Sequence, residues 1–251
     1  MAFYEDGSFD TYDYSEVTDS YPAGTATYSV GHIDLTAWDW CVMDVSSDGK
    51  MFVATDGYEY SVGCKAQLVG DLIIPNDGSI TTIGFARFSG QSSLTSITIP
   101  DSVTSIGDEA FWECINLSNL SIGNGVTSIG HCAFQNCTSL TSVTIPDSVT
   151  SIGSSAFSGC TNLTSVTIGN GVTSIGEQAF SLCFSLTSIT IPNSITSIGD
   201  SVFWRCTNLT NIYFAGTMAQ WNAITLGDDW NYDVPATYVQ CSDGQLSLIP
   251  M

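Results

Sequence analysis

Few side chains in this 251-residue sequence are placed for acid–base or metal chemistry. Its two histidines, His32 and His131, fall in no Ser-His-Asp pattern and in no zinc-binding spacing. The acidic residues Glu5, Asp6 and Asp10 lack the alternating Asp/Asn pattern, closed by Gly, that marks a calcium loop, so we interpret them as a solvated face. We therefore expect no catalytic residue, no metal site and no cofactor, and predict that the chain is not an enzyme. A triad assembled from distant residues would leave no sequence motif.

Five of the nine cysteines recur at a spacing of 23 residues: Cys114, Cys137, Cys160, Cys183 and Cys206. A free thiol at a periodic position behaves as a small buried hydrophobe, and a metal ladder would need histidines or paired cysteines beside each position. We therefore predict buried, reduced and slowly reacting thiols. Gln91 replaces cysteine in the first block, which favours a more exposed terminal turn. Cys41 with Cys64 is the one pair that we consider for a disulfide.

Hydroxyl side chains recur with the same period along segments of the type LTSVTI. In a strand, the residues between buried positions point outward. One outward column then contains Thr98, Ser121, Thr144, Thr167 and Thr190, and the next contains Ser96, Asn119, Ser142, Ser165 and Ser188. The predicted partner contacts are Ser142, Thr144, Ser165, Thr167, Ser188 and Thr190, with the aromatic Tyr213 and Trp221 as a second contact. Because a Ser/Thr face lacks the aromatic and arginine anchors of tight interfaces, we expect weak, multivalent recognition of a protein or glycan.

The segments that carry these residues form a repeat. Six consecutive blocks of 23 residues begin at Ile83, Ile106, Ile129, Ile152, Ile175 and Ile198. From Leu163 onward the apolar residues follow the order L-x-x-L-x-L that is typical of leucine-rich repeats. LTSVTI predicts one strand of a parallel sheet per turn, and IGxxAFxxC predicts a turn or a short helical segment on the outer side. The predicted fold class is an α/β repeat solenoid, a leucine-rich repeat with a parallel strand column, dominated by β structure and preceded by a β-rich N-terminal cap.

Stacking of the blocks must supply the core, because a unit of this size cannot bury its own apolar face. The predicted core columns are Phe88, Phe111, Phe134, Phe157, Phe180 and Phe203; Leu94, Leu117, Leu140, Leu163, Leu186 and Leu209; and Ala110, Ala133, Ala156 and Ala179, ended by Val202. A second period of 46 residues alternates prolines with glycines in one turn, at Pro100, Gly123, Pro146, Gly169 and Pro192. We interpret this period as duplication of a two-turn unit.

The charge balance restricts the possible partners. The chain has 25 acidic and 4 basic residues, a net charge of −21 at pH 7. Such a surface repels phosphate backbones and anionic lipids, so we expect no nucleic-acid partner. No apolar run approaches the ~20 residues needed to cross a bilayer, so we also expect no membrane insertion.

The motifs SIGxxAFxxCxxLTSVTIPDSVT and GNGVTSIG resemble the BspA-like leucine-rich repeat family over about residues 72–214. IYFAGTMAQWNAITLGDDW and VQCSDG are similar to the C-terminal cap of that family. The resemblance implies a surface or secreted protein, often one that takes part in adhesion, and therefore an extracellular or cell-surface location. The first residues, MAFYEDGSFD, carry acids where a secretory signal has bases and an apolar run, so we predict no signal peptide in this chain. Either the chain is not secreted by that route, or a leader has been removed.

We divide the chain into four predicted parts: an acidic tail at 1–24, a β-rich N-terminal cap at 25–70, the solenoid at 71–214 and a C-terminal cap at 215–251. Trp221 and Trp230 fall in the last part, where large aromatic side chains are suited to cover the open end of the core. An aromatic platform that binds a sugar or a partner protein is the alternative for these residues.

These features favour a non-catalytic binding or adhesion module that recognises a protein or glycan. The alternative is a structural spacer or assembly subunit whose function lies in the non-repeated ends. A third hypothesis is binding of an ice or mineral surface by the hydroxyl grid, which a curved sheet would weaken.

Overall fold

The computed structural model describes residues 31–33, 42–45, 51–54, 70–74, 76, 78 and 80–248. In this part the chain is a parallel β-solenoid of about 7 turns with almost no helix. The predicted leucine-rich repeat solenoid is therefore confirmed. The acidic tail at 1–24 and the pair Cys41 and Cys64 lie outside the described residues.

Each full turn contributes a longer strand from the LTSVTI segment and a two-residue strand from the Ser-Ile pair that follows it. In chain order the described strands are β1 (Gly31–Ile33), β2 (Val42–Val45), β3 (Met51–Ala54), β4 (Gly70–Ile73), β5 (Thr82–Ile83), β6 (Leu94–Ile99), β7 (Ser105–Ile106), β8 (Asn119–Ile122), β9 (Ser128–Ile129), β10 (Ser142–Ile145), β11 (Ser151–Ile152), β12 (Ser165–Ile168), β13 (Ser174–Ile175), β14 (Ser188–Ile191), β15 (Ser197–Ile198), β16 (Asn211–Phe214), β17 (Thr225–Leu226), β18 (Tyr238–Cys241) and β19 (Gly244–Ser247). The one helix of the described residues, α1, spans Met218–Trp221 and begins after the N-cap Thr217.

The longer strands form two front sheets, in the orders β1-β2-β3-β4-β6-β8 and β10-β12-β14-β16-β18-β19. The two-residue strands form one seven-stranded back sheet that runs from β5 to β17. The repeat strands pair in parallel and in register, so that Ser142 lies beside Ser165 and Thr144 beside Thr167. Among the described strands, antiparallel pairs occur only near the two ends, between β1, β2 and β3 and between β18 and β19. The equal length of the blocks therefore places equivalent side chains in straight columns.

The outer segment of each repeat, with sequence IGxxAFxxC, is a series of backbone turns and not a helix. Of the two predicted alternatives, a turn or a short helical segment, the structure shows the turn. Positive φ recurs at two positions four residues apart, for example at Glu109 (56°) and Glu113 (57°). In this conformation the N–H groups of Ala86, Phe88 and Gly90 donate to carbonyls of the following turn at 2.7–2.9 Å. A helix would pair these groups within the segment, whereas the solenoid pairs them between turns.

The core between the sheets consists of the predicted columns. Consecutive phenylalanine rings stack with centroids 5.1–6.0 Å apart, and all six rings are at most 1% exposed. At the C-terminal end the ring of Trp230 meets Phe203 edge-on at 6.2 Å. The ring of Trp221 lies 5.3 Å from that of Phe214 and 5.7 Å from that of Trp230. The C-terminal aromatic residues thus cover the end of the core.

The 46-residue period has a packing cause that the sequence did not show. A Cβ atom at Gly123 would lie 2.5 Å from the carbonyl carbon of Pro100, and one at Gly125 would overlap the carbonyl oxygen of Asp101. The Asp101 side chain accepts a hydrogen bond from the N–H of Asn124 at 2.6 Å. Each Pro-Asp turn therefore needs a Gly-Asn-Gly turn stacked on it, and the pair of turns is the packing unit.

Candidate functional site

The candidate site is the set of outward side chains on β10, β12, β14 and β16, which we term the strand face. Thr144, Thr167 and Thr190 are neighbours in register and are exposed, and Tyr213 continues their column on β16. Ser142, Ser165 and Ser188 form the parallel exposed column. Because parallel strands lie ~4.8 Å apart, the face presents equivalent hydroxyls at a regular interval.

The hydroxyls of the strand face differ from those of the threonines that precede the back-sheet strands. At Thr144, Thr167 and Thr190, and at the three serines beside them, no side-chain hydrogen bond is formed within the described part of the chain. The threonines directly before the back-sheet strands form hydrogen bonds instead: Oγ1 of Thr150 and Oγ1 of Thr173 each donate to a carbonyl of the turn before, at 3.1 and 3.0 Å. The sequence predicts exposed threonines at both kinds of position. Only the structure distinguishes the hydroxyls that are available to a ligand from those that form hydrogen bonds between turns.

The two aromatic residues predicted as a second contact have different positions. Tyr213 is 43% exposed and lies at the C-terminal edge of the strand face. Trp221 is only 4% exposed, because it packs between the rings of Phe214 and Trp230. A buried ring offers no surface to a partner, so the structure corrects the predicted role of Trp221, and we leave it out of the candidate site.

The strand face is neutral although the whole chain carries a net charge of −21. No charged residue lies on β10, β12, β14 or β16. The nearest acid along the chain from β10, Asp147, follows that strand and is engaged through Oδ1 with the N–H of Asn170 at 2.6 Å. The face therefore presents donors and acceptors without a strong local charge.

A shallow groove of about 490 Å³ crosses the back strands β11, β13, β15 and β17. Its floor includes a column of glycines, and a Cβ atom at Gly176 would lie 2.6 Å from the backbone nitrogen of Ser154. Asp200, on the groove wall, accepts the N–H of Asp228 at 2.8 Å. The groove thus follows from the close approach of the turns, and its carboxylate is already engaged.

A contact between a thiol and an imidazole, which the sequence analysis did not predict, lies in the described part of the solenoid. Sγ of Cys132 lies 3.0 Å from Nε2 of His131, and His131 is exposed, as expected from its variable position in the repeat. Burial raises the pKa of the Cys132 thiol above its usual value, and the negative charge of Glu109 raises it further. The thiol is therefore held protonated, which disfavours it as a nucleophile. Adjacency in the sequence was the only available signal.

The cysteine column is buried as predicted, with all five side chains at 0% exposure. Each thiol donates to the carbonyl of a phenylalanine 26 residues earlier, at 3.1–3.4 Å. Burial raises the thiol pKa to about 12 at Cys114, Cys160 and Cys206. The expectation for Gln91 was wrong: it is 4% exposed, so the first repeat turn is as closed at this position as the others.

The residues that the structure describes contain no group of three or more His, Cys, Asp or Glu side chains that could hold a metal ion. Over the same ranges, no helix has both the length and the apolar character needed to cross a membrane.

Comparison with known proteins identifies the repeat. The profile of the BspA type leucine-rich repeat region matches residues 65–146 and 127–225, in 6 copies. No match was found among the curated proteins. Among solved structures, the leucine-rich repeat protein of T. pallidum is 25% identical with a TM-score of 0.62, over 79% of this chain and 88% of that chain. The pneumococcal vaccine antigen PcpA is 18% identical with a TM-score of 0.51, over 83% of this chain and 52% of that one, and shows the fold alone.

The family profile thus spans more than half of the chain, over the same turns in which the structure shows parallel strands and stacked phenylalanines. The chain belongs to the BspA type leucine-rich repeat family.

Proposed function

We propose that the chain is a non-catalytic binding module that recognises a protein or glycan through the strand face, at the cell surface or outside the cell. The observation that carries this proposal is the set of six exposed hydroxyls that form no hydrogen bond with the described residues, on the neutral face of a strongly acidic chain. Ser142, Thr144, Ser165, Thr167, Ser188 and Thr190 are the proposed contacts.

A hydroxyl both donates and accepts hydrogen bonds, so the strand face suits a ligand with alternating donors and acceptors. Glycan chains and extended polypeptides have this character. Each exposed hydrogen bond contributes little, ~0.5–1.5 kcal/mol, so useful affinity requires several contacts at once. The in-register columns supply such repeated contacts over three consecutive turns.

Tyr213 gives the strand face one aromatic side chain at its edge. An exposed phenol combines an apolar ring with a polar tip, which favours stacking on a sugar ring or contact with a peptide. The acidic remainder of the surface disfavours phosphate-rich ligands, so nucleic acid is not a proposed partner.

The test uses a variant in which Thr144, Thr167 and Thr190 are all replaced by Lys. These side chains point to solvent, so the fold is expected to persist, while three ammonium groups would have to be desolvated for a ligand to dock. The control replaces Thr150, Thr173 and Thr196 by Lys, which makes the same charge change in the same turns next to the back sheet. This control also removes three turn-to-turn hydrogen bonds, so its melting temperature is expected to fall by a few degrees. Circular dichroism and melting temperature check the fold of both variants.

Full-length wild-type chain is first screened on a glycan array and on a panel of purified extracellular proteins. The proposal expects that the strand-face variant loses binding to each positive probe and that the back-sheet control retains it. Undiminished binding by the strand-face variant would refute the proposed site. A Tyr213→Ala variant then measures the contribution of the aromatic edge.

A structural spacer or assembly subunit is the second candidate function. The observation that favours it is the uniformity of the strand face, which has no aromatic or charged side chain on β10, β12 and β14 to anchor one specific partner. This alternative expects that any positive probe binds both lysine variants equally.

A further inference from the structure

The front strands of the repeat pair in twos. β6 with β8, β10 with β12 and β14 with β16 are each joined over four residue pairs, and we term these contacts the closed junctions. Between them the sheet is weaker: β12 meets β14 at one residue pair, Thr167 and Thr190. No residue pair joins β8 to β10, which is where the front strands divide into two sheets, and we term this contact the open junction. The alternation follows the 46-residue period of the turns.

The hydrogen bonds at the start of the strands differ in the same way. At the closed junction of β10 and β12, the N–H groups of Thr164 and Ser165 donate to the carbonyl of Thr141, at 2.9 and 3.4 Å. One turn earlier, at the open junction, neither Thr141 nor Ser142 donates such a bond to the carbonyl of Ser118 within the described residues. The two strands of the open junction are therefore separate from their first residues.

The residue before the buried leucine distinguishes the two kinds of junction. Asn116, Asn162 and Asn208 stand there at the closed junctions, and Nδ2 of each donates to a carbonyl of the turn before, at 2.6–2.9 Å. At the open junction the position holds Ser139, whose backbone N–H donates to the carbonyl of Ile115 at 3.1 Å. The two turns of the open junction thus meet just before the strands and diverge along them.

The separation leaves inward-facing apolar side chains within reach of water. Leu120 and Ile122 of β8 are partly exposed, whereas Val143 and Ile145 of β10 are 3% and 1% exposed. Pairing of β8 with β10 would bury the first two side chains further and would form new backbone hydrogen bonds. A closed state of this junction is therefore favoured by two forces that the open state does not use.

The other sides of the same two turns stay bonded. On the back sheet, the N–H of Thr150 donates to the carbonyl of Thr127 at 2.8 Å, beside the pairing of β9 with β11. On the outer side, the N–H of Phe111 donates to the carbonyl of Ala133 at 2.7 Å. The turns are thus joined on two sides and separate on the third, so rotation about the bonded sides moves β8 relative to β10.

We propose that the open junction is a hinge of the solenoid, which opens and closes the front sheet between β8 and β10 while the back sheet and the outer turns remain bonded. Ser139 permits the opening, because it does not form the side-chain bond that asparagine forms at the closed junctions. The motion changes the distance between Ser121 of β8 and Thr144 of β10, which would be ~4.8 Å in a paired sheet. It therefore changes the curvature of the front sheet at the border of the strand face.

Amide hydrogen exchange, measured by NMR on the full-length chain, tests the open state. After correction for intrinsic rates, the N–H groups of Thr141 and Ser142 should exchange on the order of 100-fold faster than those of Thr164 and Ser165. The N–H of Thr150, which lies across the same turns on the back sheet, should stay protected. Equal protection of the two front pairs would show a closed sheet and overturn the proposal.

A disulfide across the junction tests the motion. Ser121→Cys with Thr144→Cys places thiols on β8 and β10, and the matched control, Thr144→Cys with Thr167→Cys, places them across the closed junction of β10 and β12. A disulfide requires Cα atoms about 4.4–6.8 Å apart, which the open junction meets only when it closes. Oxidised glutathione is the oxidant, and peptide mass spectrometry identifies the bond.

A hinge is expected to form the disulfide in both double variants. The bond across the open junction should then slow amide exchange at Thr141 and Ser142 to the rate of Thr164 and Ser165, without lowering the melting temperature. A fixed gap between β8 and β10 would leave the first pair of thiols unlinked, or the bond would lower the melting temperature through strain. Either result would contradict the hinge.

An exchange of residues tests the role of Ser139. Ser139→Asn is expected to slow amide exchange at Thr141 by ~10-fold or more, and Asn162→Ser to accelerate exchange at Thr164 by a similar factor. Each variant introduces a residue that stands at the equivalent position of another turn, so both are expected to fold, which circular dichroism checks. Unchanged exchange in either variant would refute the assignment of the hinge to this position.

Discussion

Replacing Phe157 with alanine removes a ring from the middle of the phenylalanine column. The side chain is 0% exposed, and its ring stacks on those of Phe134 and Phe180 at centroid distances of 5.3 and 5.5 Å. Both neighbours are held by their own turns, so they cannot close the space that the ring leaves. Phe157→Ala is therefore expected to create a cavity and not a collapsed core.

The cost can be estimated in two ways. Burial of ~150–250 Å² at ~25 cal/mol per Å² corresponds to ~4–6 kcal/mol for the whole side chain, part of which alanine retains. Phe→Ala substitutions in protein cores cost ~3–5 kcal/mol, and each lost aromatic pair adds to the area term by ~0.5–1.5 kcal/mol. With two stacked neighbours, Phe157→Ala should lie near the upper end, at ~4–5 kcal/mol.

The assay is urea denaturation followed by circular dichroism, with thermal melting as a second measurement. A loss of this size corresponds to a decrease of ~8–20 °C in melting temperature for a chain of this length. The matched control is Phe184→Ala, because Phe184 is 39% exposed and should cost less than ~1 kcal/mol. A loss under ~1 kcal/mol for Phe157→Ala, or equal losses for the two variants, would refute the assigned column and the repeat register with it.

Three further predictions concern the thiols and the backbone of the turns. Iodoacetamide at pH 8 should label the cysteine column only after unfolding, because burial holds the pKa of these thiols well above its usual value. Mass spectrometry measures the labelling, and rapid labelling of the folded chain would contradict a buried column. The column consists of Cys114, Cys137, Cys160, Cys183 and Cys206. Glu113→Gly should raise the free energy of unfolding, measured by urea denaturation, by ~0.5–1 kcal/mol. Glu113 has a φ of 57°, a left-handed conformation that glycine adopts without strain, and Gly90 occupies the equivalent position one turn earlier. A lower stability would count against strain at this position. Gly125→Ala should lower the free energy of unfolding by roughly 1–3 kcal/mol and the melting temperature by several degrees, because the new Cβ clashes with the Asp101 carbonyl. An unchanged melting temperature would contradict the close stacking of the two turn types.

Much of the core could be predicted from the sequence, because a fixed block length places equivalent side chains in one column. The phenylalanine, alanine, leucine and cysteine columns follow from counting 23 residues, and the structure buries them all. The outward direction of Thr144 and Thr167 follows from strand alternation in the same way. These properties depend on local spacing alone, so no knowledge of distant contacts is required.

The tertiary structure decided the features that depend on the neighbouring turn. A sequence cannot show that Thr150 is tied to a carbonyl 23 residues away while the hydroxyl of Thr144 stays unengaged, since both read as threonine in a strand-like context. It also cannot show that Trp221 is buried, because this depends on what packs against the C-terminal end of the solenoid. The repeat determines which side chains face inward. The stacking of turns determines which polar groups are satisfied, because many of the hydrogen-bond partners lie in a neighbouring turn, about 23 residues away along the chain.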